Sequence, residues 1–571
     1  MIKLIIPFIF LFLSVTSSSE IVERYMNNET MTHQQAIDFY KSLITKHQNC
    51  QLYQYGKTDS GEPLHLFVIS KDGNFSPDSI RKVGKTIVLI NNAIHPGEPC
   101  GVDASAQLAE DLLSGKIEYS NVVVCIIPGY NIGGMLNRGC CSRANQNGPE
   151  QYGFRGNAKN LDLNRDFIKA DAENTKQFYN IFHEWQPHIF IDAHSTNGAD
   201  YPAEMTLINS ARSRVEQSMR SYFTDNLTSS LYSRMIDDGF SVSPYYYTYG
   251  DTISKGLKEY KDSPRYSTGY TTLYNTMGFV SEAHMLKPYP TRIKATYAFL
   301  KNTVEYAQNH SEEIKITTET ADKMAQLTKK YGINYQLDTT TSLEVELEVY
   351  RKKYKTSSVT GLPIHYYDTN VRDTLTIPYY ATYKPTKWVD VPAYYIVPQQ
   401  WTDVIERLDL NRIEYQIIAT DTVMELETYY IKDYETIKSP YEGHYLHYNT
   451  NAIKDTQLVS VRTGDLLIPT KQRGIRYLLE TLEPEATDSF FAWGFFDSIL
   501  QQKEWFSDYL FEEKAAKLLE SNPQLKEEFE QMKRDDKEFA SNSWAMLYFL
   551  YKNTDNYEPT HKRHPIYRIP K

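Results

Sequence analysis

Four short stretches carry side chains that could do chemistry. "HPGE", His95 to Glu98, holds an imidazole and a carboxylate three residues apart around a proline and a glycine. Such a pair is common, and two readings compete: a surface turn, or half of a metal site. "DAHS" adds His194 at the end of another apolar run. A catalytic zinc takes three protein donors, drawn from neutral imidazoles and carboxylates, and keeps one position for water. Two donor clusters at two strand ends favour the metal reading over the turn. A third stretch, Tyr152 to Phe167, concentrates Arg155, Asp162, Asn164 and Arg165. A guanidinium fork beside an amide is well suited to gripping a carboxylate. The fourth, "VSEAH", places Glu282 after apolar Phe279 and Val280. A carboxylate there is costly to bury unless it is paired or used. Beside a metal-activated water it could serve as a general base.

These residues need elements to hold them. "KTIVLINNAI", "NVVVCIIPGYN", "HIFIDAHS" and "GFVSEAH" are apolar runs that predict strands. "GVDASAQLAEDLLSG", "AENTKQFYNIFHEWQ" and the stretch from about Pro290 to Asn309 have helical periodicity. Strands alternating with helices predict an α/β fold, a mixed, mostly parallel sheet covered by helices. Functional residues of such sheets gather at the strand ends. After about Thr317 the texture changes. "SLEVELEVYRKKY", "DTLTIPYYATY", "PAYYIVPQQ", "YQIIATDTVMELETYYI" and "QLVSVRTGDLLI" alternate apolar and polar residues, as half-buried antiparallel strands do. "WTDVIERLDLNRI" is a helix among them. "GIRYLLETLEP", "FFAWGFFDSILQQ" and a charged stretch up to Tyr551 read as helical. The expected organisation is a leader at 1–19, a catalytic domain at 20–317, a β-rich accessory module at 318–475 and a mostly helical region at 476–571.

At this point the chain resembles the zinc metallocarboxypeptidases of the carboxypeptidase A-like type. His95-Pro-Gly-Glu98, "LDLNR" from Leu161 to Arg165, His194 after "FIDA", and Glu282 in "VSEAH" occur in that family's order, over about residues 30 to 310. "PGYNIGG" is similar to its Asn-Pro-Asp-Gly region, with Ile132-Gly133 in place of Pro-Asp. The resemblance implies a hydrolase, a metalloprotease and exopeptidase that removes C-terminal residues with one Zn2+ per chain. It makes His95, Glu98 and His194 the metal ligands and Glu282 the general base. Asp162 becomes the carboxylate orienting the first histidine. Asn164 and Arg165 become the grip on the substrate's terminal carboxylate. Arg155 takes the role of stabilising the oxyanion, with Arg143 its rival. A tyrosine should cap the substrate. Tyr270 is preferred and Tyr260 comes second, among Tyr260, Tyr266, Tyr270 and Tyr274. Arg265 is either a determinant of acidic side-chain preference or a surface arginine.

The remaining features bound the setting. The net charge of −11 argues against nucleic acid as a partner, since phosphate binding needs clustered cations. "MIKLIIPFIFLFLSVTSSSE" has a lysine, a short apolar run and small residues, the pattern of a cleaved signal peptide. That predicts a secreted or periplasmic protein with no membrane span after cleavage. The five cysteines, Cys50, Cys100, Cys125, Cys140 and Cys141, allow one bridge or mostly buried free thiols. The expected partner is a peptide or peptide-like substrate with a free C-terminal carboxylate. Two rivals stand beside this: a zinc hydrolase trimming muropeptides or deacylating amino-acid conjugates, and a catalytically silent peptide- or glycan-binding protein.

Overall fold

The computed structural model describes residues 18–196 and 198–571. Residues 1–17 of the expected leader lie outside the described residues. The chain builds an eight-stranded sheet from β1 (Cys50–Lys57), β2 (Pro63–Ser70), β3 (Thr86–Asn92), β4 (Val122–Ile127), β5 (Ile189–Ser195), β6 (Met205–Asn209), β7 (Val242–Pro244) and β9 (Met277–Ala283). The two-residue strand β8 (Leu257–Lys258) belongs to another sheet. The spatial order is β1-β2-β4-β3-β5-β9-β6-β7. Its centre, β4-β3-β5-β9, is parallel, while β1, β2 and the β6–β9 pairing are antiparallel.

Every residue of β3, β4 and β5 is buried, which explains their unbroken apolar character: the sheet is covered on both faces. Val88, Ile90, Ile189, Ile191 and Phe279 face one layer, made largely by helices Cys100–Leu113 and Tyr289–Asn309. Ile87, Leu89, Val123, Cys125 and Phe190 face the other. That layer holds helix Glu173–Trp185, but also Tyr395, Leu408, Ile475, Tyr477, Phe490, Trp493 and Ile566 from the second half of the chain. The C-terminal region therefore shares a core with the eight-stranded sheet.

The alternating strands form as expected. Leu343–Thr356 and Pro363–Tyr380 make a long antiparallel hairpin, and Thr422–Thr436 pairs with His447–Val461. Helix Thr402–Leu410 lies between them in sequence. Ile475–Leu482 is a helix, and Asp508–Ser521, Pro523–Asp535 and Ser543–Tyr551 pack on a small core of their own. Two findings refine the expectation for 476–571. "FFAWGFFDSILQQ" forms turns and one short 3-10 segment, because Phe490, Phe491, Trp493 and Phe496 are all buried without a helical stripe. The last strand, Tyr567–Ile569, returns to pair with Tyr394–Val397. Cys140 and Cys141 form a disulfide, and Cys50, Cys100 and Cys125 are buried free thiols. Among the described residues no helix is long and apolar enough to cross a membrane.

Candidate metal centre

The site forms where β3, β5 and β9 end. β3 runs into the turn His95–Glu98, closed by the Glu98 N–H donating to the His95 carbonyl at 2.8 Å. Gly97 is required there. A Cβ would lie 2.8 Å from the Arg143 side chain and 3.3 Å from the Gly153 carbonyl. On β5 and β9, His194 and Glu282 are direct neighbours in register. Adjacent parallel strands thus present both side chains to one side of the sheet.

His95, Glu98 and His194 are buried, at 3, 3 and 4% exposure, and their candidate ligand atoms lie within 4.8 Å of one another. His194 Nδ1 is 3.0 Å from Glu98 Oε2. His95 Nδ1 is 3.4 Å from Glu98 Oε1 and has no hydrogen-bond partner. The other nitrogen, Nε2, meets Asp162 Oδ1 at 2.9 Å. That contact fixes the ring, with the proton on Nε2 and the Nδ1 lone pair aimed into the cluster. Two imidazole nitrogens and a carboxylate are the donor set of an open catalytic zinc site, so the residues present fit that ion. Among the described residues this is the one such cluster of three donors.

Charge around the cluster is arranged in pairs. Burial acts to raise the Glu98 pKa, but His95, Arg143 and His194 outweigh it and hold the carboxyl well below its ordinary range. Burial opposes charge on His194 too, yet Asp192 and Glu98 hold its pKa well above the usual histidine value. Asp162 is likewise depressed, by His95 and Arg155 acting against burial. Glu282 moves the other way. Burial is the largest cause, Glu98 adds to it, and the pKa is pushed up to about 7.

The pocket above the cluster has a volume of about 230 Å³. Besides the three donors it is lined by Arg155, Asn164, Arg165, Ile208, Tyr245, Tyr260, Asp262, Tyr266, Val280 and Glu282. Asn164 Oδ1 accepts from the Ser267 N–H at 2.9 Å. Arg165 lies over the Tyr266 ring at 4.3 Å and, among the described residues, forms no ion pair. Arg155 sits half-exposed at the rim, 2.9 Å from Asp162 and 3.5 Å from Glu98.

Two expected residues fall elsewhere, while Arg143 lies at the cluster beside Glu98. Tyr270 is fully buried in helix Ser267–Thr272, where its hydroxyl donates to Asn411 at 2.7 Å and meets His183 at 2.9 Å. It cannot reach the pocket, and Tyr260, the second choice, lines it. All six residues of that short helix are buried, so no polar face marks it in the sequence. Arg265 is neither a pocket nor a surface residue, because its guanidinium pairs with buried Asp488 at 2.6 Å. The Arg143 fork is occupied: it donates to Glu98 Oε1 at 2.6 Å, to the Ser195 and Thr196 carbonyls at 3.3 Å each, and to Gln146 at 2.7 Å. It ties the turn bearing Glu98 to the strand end bearing His194. Tyr245, Ile208 and Asp262 were not anticipated, since nothing local in sequence brings β6 and the loop before Ser263 to this pocket.

The zinc carboxypeptidase family matches residues 37–342, more than half of the chain. The chain belongs to the zinc carboxypeptidase family. That match spans every residue of the cluster and its pocket. Similar relatives of this carboxypeptidase-family chain include Carboxypeptidase 2 of Trichophyton equinum, 21% identical over 77% of this chain and 79% of that protein. Carboxypeptidase 2 of Trichophyton rubrum is also 21% identical over the same shares. Among solved structures, the carboxypeptidase A from Helicoverpa armigera aligns with 12% identity and a TM-score of 0.38, over 50% of this chain and 74% of that one.

Proposed function

We propose that this chain is a zinc-dependent carboxypeptidase that hydrolyses the last peptide bond of peptides with a free C-terminal carboxylate. The observation that carries the reading is the pairing, in one pocket, of a buried His–Glu–His donor set with an arginine, Arg165, that has no carboxylate partner among the described residues. An unpaired guanidinium in a half-buried pocket awaits an anion.

His95, Glu98 and His194 would hold one zinc ion, with Asp162 fixing the His95 ring. When bound, the metal supplies Lewis acidity that polarises the scissile carbonyl and makes water a stronger nucleophile. Arg165 and the free amide end of Asn164 receive the terminal carboxylate, which sets the last peptide bond at the cluster and lowers the entropic part of the barrier. Glu282, in register with His194, takes the proton from the attacking water and passes it to the leaving amine. Burial, which raises its pKa, suits it to both halves of that transfer. Arg155 at the rim supplies positive charge where the carbonyl oxygen becomes negative. Tyr260, which lines the pocket, is the tyrosine we assign to cap the bound residue.

The leader pattern of residues 1–19 supports export of the mature chain. The proposed division is a catalytic domain, a β-rich module to 475 and a mostly helical region beyond, with the first boundary moved from 317 to the end of helix Ser311–Gln326, which runs across it. The test is a matched panel of peptides with free and amidated ends, read by mass spectrometry. Loss of single residues from free ends alone is the expected result. Cleavage of amidated peptides at equal rate, or of internal bonds, would overturn the reading.

A further inference from the structure

The segment Asp162–Ala172 carries Asn164 and Arg165 on its pocket side. Its other side rests on the C-terminal region. Arg407 donates to the Lys169 carbonyl at 2.8 Å and approaches Asp171 at 3.3 Å. His444 Nε2 lies 2.6 Å from Asp171 Oδ2. The Phe167 N–H donates to the Arg265 carbonyl at 3.2 Å, and Arg265 is itself held by Asp488. Nearest the pocket, the Glu442 carboxylate accepts the Asp162 backbone N–H at 2.7 Å.

Glu442 stands in a tight turn. Tyr441 and His444 exchange backbone hydrogen bonds at 2.8 and 3.1 Å, and Glu442 and Gly443 both have positive φ, 50° and 85°. This is the geometry of a two-residue hairpin turn with little freedom to move. Asp162 is the hub it touches. Its carboxylate meets His95 and Arg155 and accepts the Asn164 N–H at 2.9 Å. Its own N–H goes to Glu442 alone among the described residues. The arrangement is poor as a stabilising device, because it sets one carboxylate beside another, and burial with Asp162 raises the Glu442 pKa. As a positioning device it is economical, since one acceptor fixes the residue from which the grip begins.

We propose that the Tyr441–His444 turn of the C-terminal region is a positioning element for substrate-carboxylate recognition, with Glu442 acting through Asp162 on Asn164 and Arg165. This rests on the carboxypeptidase reading above. It gives the region after residue 317 a part in catalysis: substrate affinity depends on the turn being docked.

The test compares full-length wild type with Glu442→Ala and Glu442→Gln, using one free-carboxyl peptide, zinc content, and hydrogen–deuterium exchange of the peptide covering residues 161–166. Glu442→Ala should raise KM roughly tenfold, the scale of losing one hydrogen bond to a charged group. The effect on kcat should be much smaller, zinc content should be unchanged, and exchange at 161–166 should quicken. Glu442→Gln keeps an acceptor oxygen and should restore both KM and protection. Unchanged KM and unchanged exchange in Glu442→Ala would overturn the proposal. So would a loss that Glu442→Gln fails to restore. If wild type ignores free-carboxyl peptides, the carboxypeptidase reading falls, while exchange at 161–166 still judges the Glu442 contact by itself.

Discussion

Two polar regions lie a short way apart in this molecule, and they are built on opposite terms. At the seam between the sheet and the C-terminal region many buried polar groups pair with one another, although Tyr477 Oη, Trp493 Nε1 and Arg214 Nε find no hydrogen-bond partner among the described residues. Tyr270 and Tyr274 both donate to Asn411, whose amide donates to the Arg407 carbonyl at 2.8 Å. Arg265 is paired with Asp488, and Arg214 with Glu480 at 3.0 Å. In the pocket, capacity is left over. Among the described residues His95 Nδ1 has no hydrogen-bond partner and Arg165 no counter-ion, and burial pushes Glu282 up to about 7. Buried capacity without a partner costs stability, and in the pocket a ligand could use it. The same residue types hold the fold together in one place and are free to react in the other.

Substitutions can break this contrast, and the largest effect belongs to the pocket. Glu282→Gln should keep its zinc and lose roughly 10²- to 10⁴-fold in kcat, the range of a positioned general base. Full activity in that variant, measured with zinc content, would remove Glu282 from the mechanism. Next come the two arginines. Arg143→Ala unties the turn bearing Glu98 from the end of β5 and should weaken zinc binding roughly 10- to 100-fold. Arg155→Ala, which removes weaker contacts to Asp162 and Glu98, should cost less zinc affinity than Arg143→Ala and mainly lower kcat. Zinc titration and steady-state kinetics on both variants decide which arginine does which.

The tyrosines sharpen the contrast further. Tyr260→Phe should lower kcat/KM. Tyr270→Phe should leave kinetics unchanged and cost about 1–3 kcal/mol of stability, from two buried hydrogen bonds. A kinetic defect in Tyr270→Phe would mean that the seam and the pocket are coupled. A separate test is a pH slope. Burial lowers His183 to about 3 and His564 to about 4. The unfolded chain takes up those protons near 6.5, the folded chain only near 3 to 4. Stability from these two groups is therefore complete above about pH 6.5 and is lost as pH falls toward 4. Each contributes up to ~1.4 kcal/mol per pH unit across that window. Melting temperature against pH should show the fall, and replacing His183 with an apolar residue should flatten it.

The parts of this account readable from sequence are those where local pattern and chemistry coincide. The apolar runs of β3, β4, β5 and β9 mark strands because both faces of the sheet are covered. Their ends carry the cluster because parallel strands finish side by side. Asp162, Asn164 and Arg165 were legible as a dense polar motif beside apolar Leu163 and Phe167. The flanking strands were not legible: β1, β2, β6 and β7 lie outside the parallel centre of the sheet, where long apolar runs alternate with helices. Tyr270 was misplaced because a tyrosine signals neither burial nor exposure by type. Arg265 and Glu442 owe their surroundings to chain more than 200 residues away, Asp488 for one and Asp162 for the other. Nothing in the local sequence reports such a partner.

The most direct test of the contrast is zinc titration of chelator-treated, full-length mature protein, with hydrolysis of a free-carboxyl peptide followed in the same samples. The account predicts that about one zinc ion per chain binds and that activity returns in step with it. Hydrolysis that is complete without bound metal, or a protein that takes up no zinc at all, would contradict it.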